Sequence, residues 1–108
     1  MKNIECYLVN ERGAPFLRLE TPRDCRAFSY STLLGFECAV DGTSIVLDFA
    51  VGKVILKGIR LREVFISIAA GTCVALIART ETEIIESGQT EAPLITDIRT
   101  KVAEKMET

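Results

Sequence analysis

The stretch from Phe36 to Lys57 constrains the fold more than any other part of the chain, because two reversal signals divide it into three alternating runs. Asp41-Gly42 is a strong two-residue hairpin signal flanked by alternating apolar positions. Such a turn pairs Val40 with Thr43, so Cys38 faces Ile45 and Phe36 faces Leu47. A second reversal lies at Val51-Gly52. Valine is awkward at the positive φ of a tight primed turn, so a four-residue loop, Ala50–Lys53, is expected. It pairs Phe49 with Val54 and Leu47 with Leu56. The result is a three-stranded antiparallel meander whose buried face is Phe36, Cys38, Ile45, Leu47, Phe49, Val54 and Leu56.

The flanking segments fit around this meander. Ile4, Cys6 and Leu8 alternate with Glu5 and Tyr7, which predicts a strand. Turn residues at Asn10–Gly13 then return the chain along Phe16–Glu20, giving an N-terminal hairpin. Thr21-Pro22-Arg23-Asp24 has the chemistry of a helix start, but the residues after it, Cys25–Leu34, suit a short helix or a strand equally. Gly58 breaks the meander. Leu61, Val64, Phe65 and Ile68 then recur at helical spacing, with Arg60, Glu63 and Ser67 opposite, predicting a helix over about 60–70 that Gly71 ends. Cys73–Arg79 is nearly all apolar and reads as a strand buried on both faces, extended as a polar edge by Thr80–Glu83. Ser87-Gly88-Gln89 reads as a loop. Beyond it Leu94, Ile95, Ile98, Val102 and Met106 form one stripe, with Asp97–Lys101 an i,i+4 pair, so a C-terminal amphipathic helix is expected. The expected class is α+β: one small antiparallel sheet packed with two helices.

Composition limits the rest. The 108 residues suit one domain over 1–108, and 48% hydrophobic with 26% charged residues is an ordinary globular balance. The longest apolar stretch, Val64–Ala78, is interrupted by Ser67, Gly71 and Thr72 and is too short to cross a bilayer. With no export signal read at Met1–Glu5, a cytoplasmic, membrane-free protein is expected. Net charge is −2, but residues 81–108 carry seven acids against three bases and form an acidic C-terminal segment. No strongly basic face for nucleic acid is evident from these totals.

Histidine is absent, which removes the commonest general base and metal ligand; Ser-His-Asp, Cys-His and histidine-metal chemistries are excluded within one chain. Cys6, Cys25, Cys38 and Cys73 have no metal-ligand spacing, so neither a transition metal nor another cofactor is expected, and the cysteines read as reduced structural thiols.

Three site hypotheses follow. Glu37 and Asp48 lie with Lys53 and Lys57 on the meander's second face, around Val46 and Ile55, and are the candidate acid or base of a small metal-free enzyme. Lys53, Lys57, Arg60 and Arg62 form the densest basic stretch and are the candidate site for an anion or nucleic acid. Val46 and Ile55, with Ile66 on the helix flank, are apolar where one packing layer leaves them uncovered. Together with a mean hydropathy of +0.25, they predict a homo-oligomer, most simply a two-fold dimer. A self-associating interaction module without catalysis is the leading expectation. The sequence names no small-molecule ligand.

Overall fold

A computed structural model describes residues 5–88 and 92–102. These residues fold into eight strands and two α-helices, an α+β architecture in two four-stranded sheets rather than one.

The meander forms. Strands β4 (Leu33–Cys38), β5 (Ser44–Phe49) and β6 (Gly52–Ile59) are antiparallel neighbours. Cys38 lies opposite Ile45 and Phe36 opposite Leu47, as the turn chemistry requires. The first turn is a four-residue loop, Val40–Thr43, rather than the expected two-residue turn pairing Val40 with Thr43; it is closed where the Ala39 N–H donates to the Ser44 carbonyl at 2.9 Å, with Gly42 supplying a φ of +74°. The Asp41 carboxylate accepts from the Thr43 hydroxyl and N–H at 2.6 and 3.1 Å, bonds that hold its acid below the usual range. The second turn is tighter than expected. Phe49 pairs with Gly52, Leu47 with Val54 and Ile45 with Leu56, leaving Ala50 and Val51 between the strands. Val51 escapes the steric objection because it takes no positive φ; among the described residues only Arg60 does so without being glycine. A two-residue shift keeps every side chain on its face, so the same residues face the core, Phe36 and Cys38 half-buried and the other five buried.

The fourth strand of this sheet is the largest correction. Residues Leu94–Val102 form β8, antiparallel to β6, not an amphipathic helix. Ile95, Thr96, Ile98, Thr100 and Val102 are β-branched, and Ile98, Thr100 and Val102 alternate with Asp97, Arg99 and Lys101. An apolar β6 offered an edge that this alternation satisfies. Asp97 pairs with Arg99 at 2.8 Å rather than with Lys101, and Met106 lies outside the described residues. Gly58 proves to be a site of close approach rather than a helix boundary: a Cβ there would stand 1.9 Å from the Leu94 carbonyl oxygen, at a bulge in the β6–β8 ladder.

The N-terminal hairpin is also corrected. β1 (Tyr7–Val9) and β2 (Phe16–Glu20) are not partners; β7 (Cys73–Ile77) runs between them, antiparallel to β1 and parallel to β2. The almost wholly apolar β7 takes an interior place with two neighbours, and the Asn10–Ala14 turn is tied across its start by bonds to Thr72 and Gly71 of 2.8 and 3.0 Å. Thr21–Asp24 begins no helix. The Thr21 hydroxyl accepts from the Arg23 and Asp24 N–H groups, both at 3.1 Å, closing a hairpin from β2 to β3 (Cys25–Ser29). A 3-10 turn at Tyr30–Thr32 then carries the chain to the second sheet.

Helix α1 (Arg62–Ala69) buries Val64 and Ile68 and sets Phe65 against Phe36, with ring centroids 5.2 Å apart. Ser67, expected on the polar side, is buried and donates to the Val64 carbonyl at 2.7 Å. Gly71, at φ +72°, ends the helix as expected. Thr80–Glu83 is no strand extension: Thr80 caps α2 (Glu81–Ser87), its hydroxyl accepting from the Glu83 N–H while the Glu83 carboxylate accepts from the Thr80 N–H. Gly88 ends α2; Gln89 lies outside the described residues. One hydrophobic cluster joins the sheets, with Phe28 of β3 against Phe49 of β5 at 4.8 Å. Among the described residues, no helix is long and apolar enough to cross a membrane.

Candidate functional site

The basic stretch singled out in the sequence does not converge. Lys53 and Lys57 stand four residues apart on β6, exposed on the sheet face opposite the core. Arg60 sits in the turn after β6 and donates to the Ala92 carbonyl at 3.0 Å, which turns it away from the start of α1. Arg62 opens α1 and is exposed.

Glu37 and Asp48 share the outer face with Lys53 and Lys57, as expected, and both are exposed. Asp48 lies directly opposite Lys53, a consequence of the shorter second turn. No ion pair within 4 Å joins these four among the described residues. Val46 and Ile55 pair directly and are half-buried, while Ile66 is 64% exposed on α1. Because α1 packs against Phe36 on the sheet's inner face, Ile66 does not join Val46 and Ile55 in one patch.

A different set of basic residues does meet. A cleft of about 540 Å³ opens where the ends of β2 and β7 and the β2–β3 turn face β8. Four arginines line it, Arg23, Arg26, Arg79 and Arg99, together with two aspartates, Asp24 and Asp97. Three stretches of the chain bring the arginines in. Arg23 belongs to the tight Thr21–Asp24 turn and, among the described residues, its guanidinium has no carboxylate or carbonyl partner. Arg26 lies opposite Leu19 on the core-side face of its sheet, 3.7 Å from Asp24. Arg79 follows β7; its guanidinium donates twice to the Glu5 carbonyl, at 2.8 and 3.1 Å, and lies 3.7 Å from Glu83. Arg99 lies on β8 opposite Ile55, so its side chain, bonded to Asp97, belongs to the outer face of that sheet and meets the cleft only at its rim.

The carboxylates only partly offset this charge. The pairs are solvent-accessible and contribute about 0–1 kcal/mol each, so they exchange readily for a stronger anion. Beside the cleft, the bond from the Thr80 N–H, with help from Arg79, holds the Glu83 carboxyl below its usual range. Thr21, Thr80, Thr96 and Thr100 also line the cleft. Sequence reading missed this site because its arginines span 76 positions and meet only through strand pairing; the one local signal was the Thr80-x-x-Glu83 capping box.

The cysteines and tyrosines belong to the framework. All four cysteines are free; Cys6 and Cys73 are buried, Cys38 is half-buried and Cys25 is exposed, so the structural reading fails for none of the first three. Burial pushes the Cys73 thiol up to about 11 and raises Cys6 as well, which disfavours the reactive thiolate. The Tyr7 hydroxyl donates to Glu63 at 2.9 Å, and burial with that carboxylate pushes the phenol up to about 12. The Tyr30 hydroxyl donates to the Cys73 carbonyl at 2.7 Å. Among the described residues, no group of three or more Cys, Asp or Glu is placed to hold a metal ion. Comparison with protein-family models, curated proteins and solved structures finds no match for this chain.

Proposed function

We propose that this chain is a binding protein for anions, of the carboxylate or phosphate class, which it holds in the arginine cleft without acting on them chemically. One observation carries this reading: four arginines from three distant stretches of the chain, the β2–β3 hairpin, the end of β7 and β8, line one cleft against two aspartates. A guanidinium stays protonated at every physiological pH and offers a planar fork of donors matched to carboxylate and phosphate oxygens. It binds and orients; it does not shuttle protons. The anion-binding role expected of Lys53, Lys57, Arg60 and Arg62 thus moves to a different set of residues.

Titration calorimetry with tripolyphosphate and with citrate tests the proposal. Binding is expected at low ionic strength, weakening as salt is raised because screening acts over about 10 Å at 0.1 M. The Arg23→Ala/Arg26→Ala protein is expected to bind about tenfold more weakly or worse. An absence of binding by the wild-type protein at low salt overturns the reading.

Self-association is the second reading, favoured by the apolar side chains left uncovered on three separate elements: Leu34 of β4, Ile66 of α1 and Ile85 of α2, each more than 60% exposed. Light scattering across a tenfold dilution series checks it; a monomer mass at every concentration removes it.

A further inference from the structure

The arginine cleft borders the free edge of a sheet, and that edge has hydrogen-bonding groups to offer. β8 is the outermost strand of its sheet, paired on one side only, with β6. The direction of its backbone groups follows from bonds already fixed elsewhere. The Ser44 carbonyl is taken by Ala39 on the β4 side, and the Gly58 N–H donates to Thr43 on β5. Alternation along β6 therefore turns the N–H and C=O groups of Lys57, Ile55 and Lys53 toward β8, where their partners are Asp97, Arg99 and Lys101. Alternation along β8 then turns the groups of Ile98 and Thr100 outward, and both residues line the cleft.

The same edge is closed at its start. The Ile95 carbonyl accepts from the Arg79 N–H at 2.9 Å and its N–H donates to the Cys6 sulfur at 3.2 Å. Beyond Ile95 no backbone partner meets this edge among the described residues. Natural sheets cover or blunt such edges, and one bordered by a cleft is suited to strand addition.

We infer that the anion taken by the cleft is an extended acidic peptide segment of another protein, added as a strand to β8 through Ile98 and Thr100. This inference rests on the proposed anion-binding role and specifies its ligand. Charge complementarity selects the peptide's chemistry. Alternate residues of an added strand share the inward face of Ile98 and Thr100, so acidic side chains there enter the cleft lined by Arg23, Arg26 and Arg79. Residues of the other face lie beside Arg99. An extended chain rises about 3.3 Å per residue, so the two open positions match roughly four peptide residues. Backbone bonds supply affinity and the arginines supply selection for acids.

The test uses a six-residue peptide alternating Glu and Val, blocked at both ends and carrying a fluorophore, titrated into the full chain by anisotropy. A second peptide of the same sequence is N-methylated at alternate residues, which removes outward donors without changing charge. The expected result is binding by the first peptide and at least tenfold weaker binding by the second. Thr100→Pro, which removes one outward N–H at an edge position, is expected to weaken the first peptide likewise; the N-methylated peptide keeps the test independent of that variant's folding. Equal affinity for both peptides overturns strand addition, as does tighter binding of a thymidine hexanucleotide than of the acidic peptide. Tripolyphosphate binding without peptide binding overturns strand addition but leaves the anion-binding cleft standing. Binding of neither overturns both.

Discussion

Two sets of four basic residues occupy this chain, and they behave in opposite ways. Lys53, Lys57, Arg60 and Arg62 are close in sequence and scatter over a sheet face, a turn and a helix start. Arg23 and Arg26 of the β2–β3 hairpin, Arg79 after β7 and Arg99 of β8 come from three distant stretches of the sequence and line one cleft. Sequence proximity sets how charges are distributed along an element, whereas convergence is set by which strand ends the topology brings together. In this fold the convergence depends on two joins that no local signal marks: the insertion of β7 between β1 and β2, and the pairing of β8 with β6.

The largest expected effect attacks the second join. Gly58→Ala places a Cβ against the Leu94 backbone, which cannot give way as a flexible side chain would. A loss of about 3 kcal/mol is expected, measured by urea denaturation, together with loss of anion binding because β8 forms one wall of the cleft. Gly35→Ala, where a Cβ meets nothing within 4 Å, serves as the control and is expected to change stability by less than about 1 kcal/mol. Equal stability of the two variants would mean that β8 is not seated on Gly58.

The contrast between regions also marks how far the sequence is legible. The meander was readable because turn chemistry at Asp41-Gly42 and period-two alternation agree, and its face survived even a two-residue error at Val51. The 94–102 segment carries two patterns at once. Leu94, Ile95, Ile98 and Val102 satisfy a helical stripe, while Ile98, Thr100 and Val102 satisfy strand alternation. Five β-branched residues favour the strand, yet only the waiting edge of β6 decides between them. The apolar run from Cys73 is legible as a strand with buried residues on both faces, Ala75 on one and Leu76 on the other, although it ends at Ile77 and leaves Val74 and Ile77 half-buried; nothing in it states that one neighbour is parallel. The cleft was illegible for the same reason, since it exists only after both pairings are known.

A smaller effect separates the two basic sets directly. Arg79→Ala removes two bonds to the Glu5 carbonyl as well as a cleft charge, and tripolyphosphate affinity is expected to fall about tenfold or more. Arg62→Ala, on α1 and outside the cleft, is expected to leave that affinity within about twofold. Calorimetry on both variants checks this.

Smaller again is the capping box beside the cleft. Thr80→Ala is expected to cost about 1 kcal/mol at neutral pH. Because the Glu83 carboxyl is held below its ordinary range, its contribution is present above that range and is lost as pH falls through the lowered value. Thermal melts at acid and neutral pH are therefore expected to differ less in Thr80→Ala than in the parent. At the alkaline end the Tyr7 phenol, raised from 10 to about 12, stabilises the fold fully below pH 10 and loses that contribution as pH climbs toward 12. Tyr7→Phe is expected to remove this part of the alkaline decline, read from melts over that window.

The most direct test of the central claim is a matched pair of double variants titrated with tripolyphosphate at low ionic strength. Arg23→Ala/Arg26→Ala and Lys53→Ala/Arg62→Ala remove the same formal charge, so any difference reports location rather than net charge. The arginine cleft predicts that the first loses about tenfold or more in affinity and the second stays within about twofold of the parent. Equal losses in the two proteins, or the larger loss in the second, would contradict it.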